Sequence, residues 1–256
     1  MKLLFISDLH ANPISVKGIF HKESKWDSLI CLGDYLDRGH FPEDLIQLMM
    51  SAPHISLPGN HDFHIINTIH SNPSIRYNSS HETIKYYRNN GIWYKLSAAE
   101  LSQISLDFIE GIWNGPRYRV LETDGWTYVL CHSFCNEWAF TKNPDKCEYT
   151  IPEGKGDVIE FIEKTVGIYN PDKFYRVVTG HRHYRWHLRL SDRLEYLNPG
   201  STAYVRRGEE MKGAEYLVIE DGKIHLKTYE YAWERYYNST PGCKYDGCDP
   251  KVIDMN

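Results

Sequence analysis

Five short motifs carry the side chains able to do chemistry: Asp8-Leu9-His10, Gly33-Asp34-Tyr35-Leu36-Asp37-Arg38-Gly39, Gly59-Asn60-His61-Asp62, His132 behind an apolar run, and Gly180-His181-Arg182-His183. Each alone reads as a turn, because Gly, Asn and Asp favour turn conformations. Together they offer carboxylate, imidazole and amide-oxygen donors, a set that suits divalent manganese, iron or zinc. One aspartate with two oxygens can bridge two such ions about 3.5–4 Å apart, and Asp34 is the candidate bridge. Glycines before Asp34, Asn60 and His181 let the backbone turn sharply, so that the next side chain can enter a shared pocket. A purely structural reading makes the aspartates caps and the histidines core or surface groups. It leaves the ligand types, their order and their placement at strand ends without a cause.

Bringing these motifs together requires elements that end at one place. Apolar runs at 3–7, 28–32 and 54–57 alternate with helical patterns at 14–24 and 43–50. This βαβαβ order favours a sheet with helices packed on its faces, and it sets the residue after each strand at one edge, where α/β folds build their sites. Residues 60 to 111 read as mostly helical, with helices near 81–88 and 98–109, the second opened by a capping box of Ser97 and Glu100. Residues 62–111 are accordingly read as a helical, cap-like segment. Strands at 118–122 and 126–132 join through Asp124-Gly125, a helix follows near 157–166, and a strand at 175–179 implies a second sheet. Asp221-Gly222 closes a hairpin between 216–220 and 223–229. Residues 233–256 read as an irregular tail, and the whole of 1–256 as one domain.

Composition narrows the function class. A chain of 256 residues that is 41% hydrophobic, with 19 Tyr and 7 Trp, can close one substantial core. A formal charge of −5 argues against a protein that holds duplex nucleic acid mainly by neutralising phosphates. The amino terminus carries no signal-peptide pattern and no segment has membrane-spanning length, so the expectation is a cytoplasmic protein without a membrane partner. Six cysteines without a dense framework read as free thiols, and Cys243 and Cys248 receive no function.

The five motifs, in this order, resemble those of the calcineurin-like metallophosphoesterase superfamily: Asp-x-His, Gly-Asp-x-x-Asp, Gly-Asn-His-Asp/Glu, His and Gly-His-x-His. The resemblance runs from Asp8 to Ser201 and includes the turn Asn198-Pro199-Gly200-Ser201. It implies an α/β fold, a β-sandwich of two mixed sheets flanked by helices. It implies a first divalent ion held by Asp8, His10, Asp34 and His183, and a second held by Asp34, Asn60, His132 and His181, with manganese foremost and iron, zinc or nickel as alternatives. A hydroxide bridging the ions would attack phosphorus in line. Gly33 to Gly39 looks like the Ser/Thr phosphoprotein phosphatase and diadenosine tetraphosphatase branch. That likeness implies that Asp37 bonds His61 and holds it charged, that His61 protonates the leaving alkoxide or stabilises the phosphate, and that Arg38 grips the phosphate as a fork.

Two departures pull the other way, since Ser7-Asp8-Leu9-His10-Ala11-Asn12 and Asp62 stand where that branch has Gly-Asp-x-His-Gly and Glu. With the late Gly-His-x-His pair they look more like bacterial phosphodiesterases. The favoured substrate is a phosphomonoester of a protein, nucleotide or small molecule. The rivals are a phosphodiesterase or nuclease, and a non-catalytic scaffold of the kind seen in a retromer subunit that resembles these enzymes. His81, Tyr86, Tyr87, Arg88, Trp93, Tyr94, Tyr184 and Trp186 could stack a base, although aromatics at such spacing more often serve a core. Arg182 and Arg185 read as solvated groups, and Asp62 as a group that orients a metal ligand or His61.

Overall fold

In the computed structural model, described for residues 1–39, 41–71, 101–134, 151–203 and 213–230, the chain opens as the alternation requires. Strand β1 (Lys2–Ile6), helix α1 (Pro13–Glu23), β2 (Ser28–Cys31), α2 (Pro42–Ser51), β3 (Ile55–Ser56) and α3 (Asn60–Ser71) follow one another. Then come α4 (Gln103–Trp113), β4 (Tyr118–Thr123), β5 (Trp126–Cys131), α5 (Lys155–Val166) and β6 (Phe174–Thr179). Strands β7 (Arg185–Ser191), β8 (Leu194–Pro199), β9 (Ala214–Glu220) and β10 (Lys223–Tyr229) complete the described elements.

Local signals explain most boundaries. Pro13 begins α1 and the Asn12 side chain accepts the Ser15 N–H at 3.3 Å. Asp124-Gly125 and Asp221-Gly222 all take positive φ, the mirror-image turn whose twist matches the paired strands. The helix expected at 98–109 starts later. Its cap is Ser102, held from α2 by Glu43, whose carboxylate accepts the Ser102 N–H at 2.9 Å and hydroxyl at 2.8 Å. The helix expected near 81–88, and Ser97 and Glu100, lie outside the described residues.

The strands form two mixed sheets of five, ordered β10-β9-β1-β2-β3 and β4-β5-β6-β8-β7. The first is parallel across β1, β2 and β3 and antiparallel at β9 and β10. In the second, β5, β6 and β8 run parallel between antiparallel edge strands β4 and β7. The sheets face each other across Leu3, Phe5, Ile30, Leu130, Val178, Leu197 and Leu217. Side chains alternate along each strand, so Leu4, Ile6, Leu29 and Cys31 point to the other face, where α1 to α4 cover them. Val129, Val177 and Tyr196 are covered in the same way by Val158, Phe161 and Ile162 of α5. The architecture is the expected α/β sandwich of two mixed sheets with helices outside.

Of the cap-like segment expected at 62–111, both described ends pack inward. Ile65, Ile66 and Ile69 of α3 and Leu106, Ile109 and Ile112 of α4 are buried against the first sheet. The expected tail from 233 lies outside the described residues, as do Cys243 and Cys248. Cys31 and Cys131 are free, as expected, and burial pushes the Cys31 thiol up to about 12, which leaves it inert. No helix among the described residues is long and apolar enough to cross a membrane.

Candidate metal centre

Parallel strands of both sheets end at the same edge, and each motif follows such an end. Asp8 and His10 follow β1, Asp34 follows β2, Asn60 opens α3 after β3, His132 follows β5, and His181 and His183 follow β6. The backbone there is bent hard: Asp8, His10, Ala11, Asp34, Asp37, Arg38, His181 and His183 all have positive φ between 42° and 72°. Such non-glycine conformations persist only where surrounding bonds over-determine them, and they gather at functional sites. Close approach requires glycine at several of these turns, Gly59 and Gly180 among them. A Cβ on Gly59 would overlap the Asp34 carboxylate, and one on Gly180 would overlap the Ser7 hydroxyl.

The expected donors converge. Asp8, His10, Asp34 and His183 place one ligand atom each within 4.8 Å of one another, and so do Asp34, His132 and His181. Asp34 belongs to both groups. Asn60 joins the second, its Oδ1 lying 3.1 Å from His132 Nε2 and 2.9 Å from His181 Nδ1. Each group draws on both sheets.

The chemistry of these atoms fits cations. A carbonyl oxygen can only accept, so His132 Nδ1 carries the hydrogen given to Leu32 O at 2.8 Å, and His10 Nδ1 that given to Leu36 O at 3.2 Å. Each Nε2 is therefore turned into the pocket with its ring fixed by a backbone carbonyl, as metal-binding histidines require. His10 Nε2 and His183 Nε2 stand 3.2 Å apart, and His183 Nε2 is 3.1 Å from Asp8 Oδ1. Oxygen and nitrogen donors of this mixture suit divalent manganese, iron or zinc.

Electrostatics agree. Against the opposing effect of burial, His132 above all holds the Asp34 carboxyl well below the ordinary range. In return Asp34 draws His132 up to about 9 although burial works against it. Burial, together with His132, lowers His181 to about 4. Burial, together with Arg38, lowers His10 to about 3.

The remaining expected residues form a second cluster beside Asp34. His61 Nδ1 donates to Asp37 Oδ2 at 2.6 Å, Arg38 Nη2 donates to His61 Nε2 at 3.1 Å, and the His61 N–H donates to Asp34 Oδ1 at 2.9 Å. The contact between His61 and Asp37 is as expected; the charge is not. Burial drives His61 well below the ordinary imidazole range, and Arg38 adds to it, so Asp37 does not keep the ring charged. Burial also lifts Asp37 itself to about 7, so a proton taken up by the pair goes to the carboxyl before the ring. Asp62 touches neither the His61 ring nor a metal-ligand side chain. It accepts backbone N–H groups of two loops, which favour its ionised form while burial and the Asp34 charge push the carboxyl up to about 7.

A residue that sequence reasoning left among turn signals is Asn198. Buried at the end of β8, it donates to Gly180 O at 2.7 Å and accepts the Gly200 N–H at 2.9 Å. The Ser201 hydroxyl then donates to Asp8 O at 3.1 Å, tying the first and last motifs together. Trp186 packs against the core under the second sheet with Tyr184 stacked on it at 5.8 Å. Arg185 bonds Glu215 at 2.7 Å, so it is bound to the first sheet instead of solvated.

Residues 1–185 match the family model described as calcineurin-like phosphoesterase. An uncharacterized protein of Methanocaldococcus jannaschii is 23% identical over 242 residues, covering 91% of this chain and 88% of its own length. A metallophosphoesterase from Sphaerobacter thermophilus superposes with a TM-score of 0.62 at 21% identity, over 93% of this chain and 91% of that one. A hypothetical protein from Pyrococcus horikoshii OT3 superposes with a TM-score of 0.63 at 13% identity, over the same shares. At these identities the structural likeness establishes the fold.

Proposed function

The chain belongs to the calcineurin-like phosphoesterase family, and from that membership we propose that it hydrolyses phosphate monoesters, of a protein, a nucleotide or a small molecule. The observation that carries the monoester reading is Arg38, whose guanidinium stands beside the two groups of metal donors, 3.1 Å from His61 and 3.9 Å from Asp37. A monoester dianion has three non-bridging oxygens, and a centre offering two cations and one guanidinium fork can neutralise all three. In a diester the third position carries a carbon substituent, which meets Arg38 with no charge to share.

Asp8, His10, Asp34 and His183 would hold one divalent ion, and Asp34, Asn60, His132 and His181 the other, with manganese the first choice. Ions bound there supply Lewis-acid activation of a water and neutralise charge on the phosphate oxygens. Arg38 binds and orients the phosphate. As its guanidinium turns to the substrate it leaves His61 Nε2; with Asp37 protonated and donating to Nδ1, the ring carries its own hydrogen on Nε2, gives that hydrogen to the leaving alkoxide and takes up the Asp37 proton at Nδ1. His61 thus acts as an acid through the pair, with no need for a permanently charged ring.

Hydrolysis with added Mn²⁺ tests this, comparing p-nitrophenyl phosphate, bis-p-nitrophenyl phosphate, a phosphopeptide and diadenosine tetraphosphate, with Asp34→Asn as the inactive control. Dominant turnover of the monoester or phosphopeptide is the expected result. Dominant turnover of bis-p-nitrophenyl phosphate, or of diadenosine tetraphosphate, which has no monoester dianion, overturns the Arg38 argument, and turnover of none overturns the enzyme reading.

A further inference from the structure

Asp62 is fully buried and belongs to neither group of metal donors. Its Oδ2 accepts the N–H of Asp34 at 3.1 Å and of Gly59 at 2.8 Å, and its Oδ1 those of Tyr35 at 2.9 Å and Leu36 at 3.2 Å. Three donors lie on the loop after β2 and one on the turn before α3. A single carboxylate therefore fixes Asp34 in register with Asn60. The loop after β1 hangs from the same β2 loop by backbone bonds, Asp8 N–H to Gly33 O at 3.0 Å, His10 N–H to Asp34 O at 2.9 Å and Ala11 N–H to Tyr35 O at 2.8 Å, beside the His10 side-chain bond to Leu36 O. All the donors contributed by the first sheet are thus placed by Asp62, directly or through one further layer of hydrogen bonds.

We infer that Asp62 is a positioning residue for both metal sites at once, setting the affinity of each ion without touching either. The inference rests on the metal-binding part of the function proposed above. Only a carboxylate answers the local demand, since it offers acceptor sites on both oxygens and no donor. An amide of the same size would turn a donor toward two of the four backbone N–H groups and leave them buried without an acceptor.

Asp62→Asn keeps size and burial while removing half of the acceptors, so titration of metal-free protein with Mn²⁺ by calorimetry tests the inference directly. Both dissociation constants should rise about 10–100-fold, the usual consequence of losing a group that orients ligands, with two ions per chain recovered at excess Mn²⁺. Asp62→Glu, which retains both oxygens, should recover part of that loss, and it carries the test if the Asn variant does not fold. Glu195→Gln breaks a buried ion pair at the opposite end of the sandwich and controls for lost stability. It should lower Tm and leave both affinities unchanged. Unchanged affinities in Asp62→Asn beside a lowered Tm would make the carboxylate merely structural and overturn the inference; weakening of one site alone would overturn its shared role. A wild-type protein that binds two ions with affinities that Asp62→Asn weakens, yet hydrolyses no ester, would sink the proposed function and leave this inference standing, whereas one that binds no ion overturns both.

Discussion

His61 differs from the other histidines of the pocket in what surrounds it: a carboxylate at 2.6 Å, a guanidinium at 3.1 Å and no place in either group of metal donors. His61→Ala should therefore lower turnover of esters with poor leaving groups by about 10²–10⁴-fold while metal content stays near normal. Asp34→Asn should lose metal and activity together. Metal analysis beside steady-state kinetics separates the two, and undiminished turnover in His61→Ala would remove its role as acid. His132 allows a pH test. With Asp34 raising it to about 9, the ring holds a proton at neutral pH that an ion at Nε2 must displace. Loading at pH 7 should release protons, and apparent affinity should climb as pH rises toward 9; calorimetry in buffers of different ionisation enthalpy would show no such release if His132 were not a ligand. The donor residues were legible in sequence because their types and order are themselves the signal. The charge on His61 was not, since it depends on burial and on where Arg38 lies. Nor was the full part played by Asp62, whose partners on the β2 loop sit 26 to 28 residues away.

Elements were legible where a period or a turn marked them. The hairpins at Asp124-Gly125 and Asp221-Gly222 and the opening alternation were read from the chain alone. Strands β7 and β8 were not, because β8 carries Glu195, Asn198 and Pro199, which interrupt any apolar run. Glu195 is tolerated in that buried strand by Arg176 across the sheet at 2.7 Å, and Asn198 by its bonds to Gly180 and Gly200. The start of α4 was misread for a similar reason: Ser97 and Glu100 carry a local capping signal, but Glu43 of α2 selects Ser102. Ser102→Ala should cost about 0.5–2 kcal/mol of stability in a denaturant titration, with metal binding intact. An unchanged midpoint would show that Glu43, through the backbone N–H alone, suffices to fix the helix.

For the whole molecule, composition made a large core predictable, whereas the facing of the two sheets is set by contacts that no local pattern encodes. A long-range tie within the first layer makes stability depend on acid. Glu23 at the end of α1 bonds Lys2 at 2.8 Å, Tyr216 at 2.7 Å and Lys227 at 2.9 Å, joining α1 to β1, β9 and β10. Although burial opposes it, these partners lower the Glu23 carboxyl to about 2 from an ordinary 4.5. A depressed carboxyl contributes its full stability above the unfolded value, so the contribution is complete above pH 4.5 and is lost as pH falls toward 2. Glu23→Gln should flatten that part of the stability curve, followed by denaturant melts between pH 2 and pH 5; an unaltered slope would place the acid sensitivity elsewhere.

Each group of metal donors takes side chains from both sheets, and this has a bearing on the life of the protein in a cell. An ion held in either group fastens one layer of the sandwich to the other, and a bound ligand stabilises only the folded state, by an amount that grows with its free concentration. With ions bound as proposed, the metal supply would govern how long a molecule survives as well as how fast it works. Chains made during scarcity would then be the looser ones and the first that a protease removes, which would leave a population enriched in molecules already equipped to act.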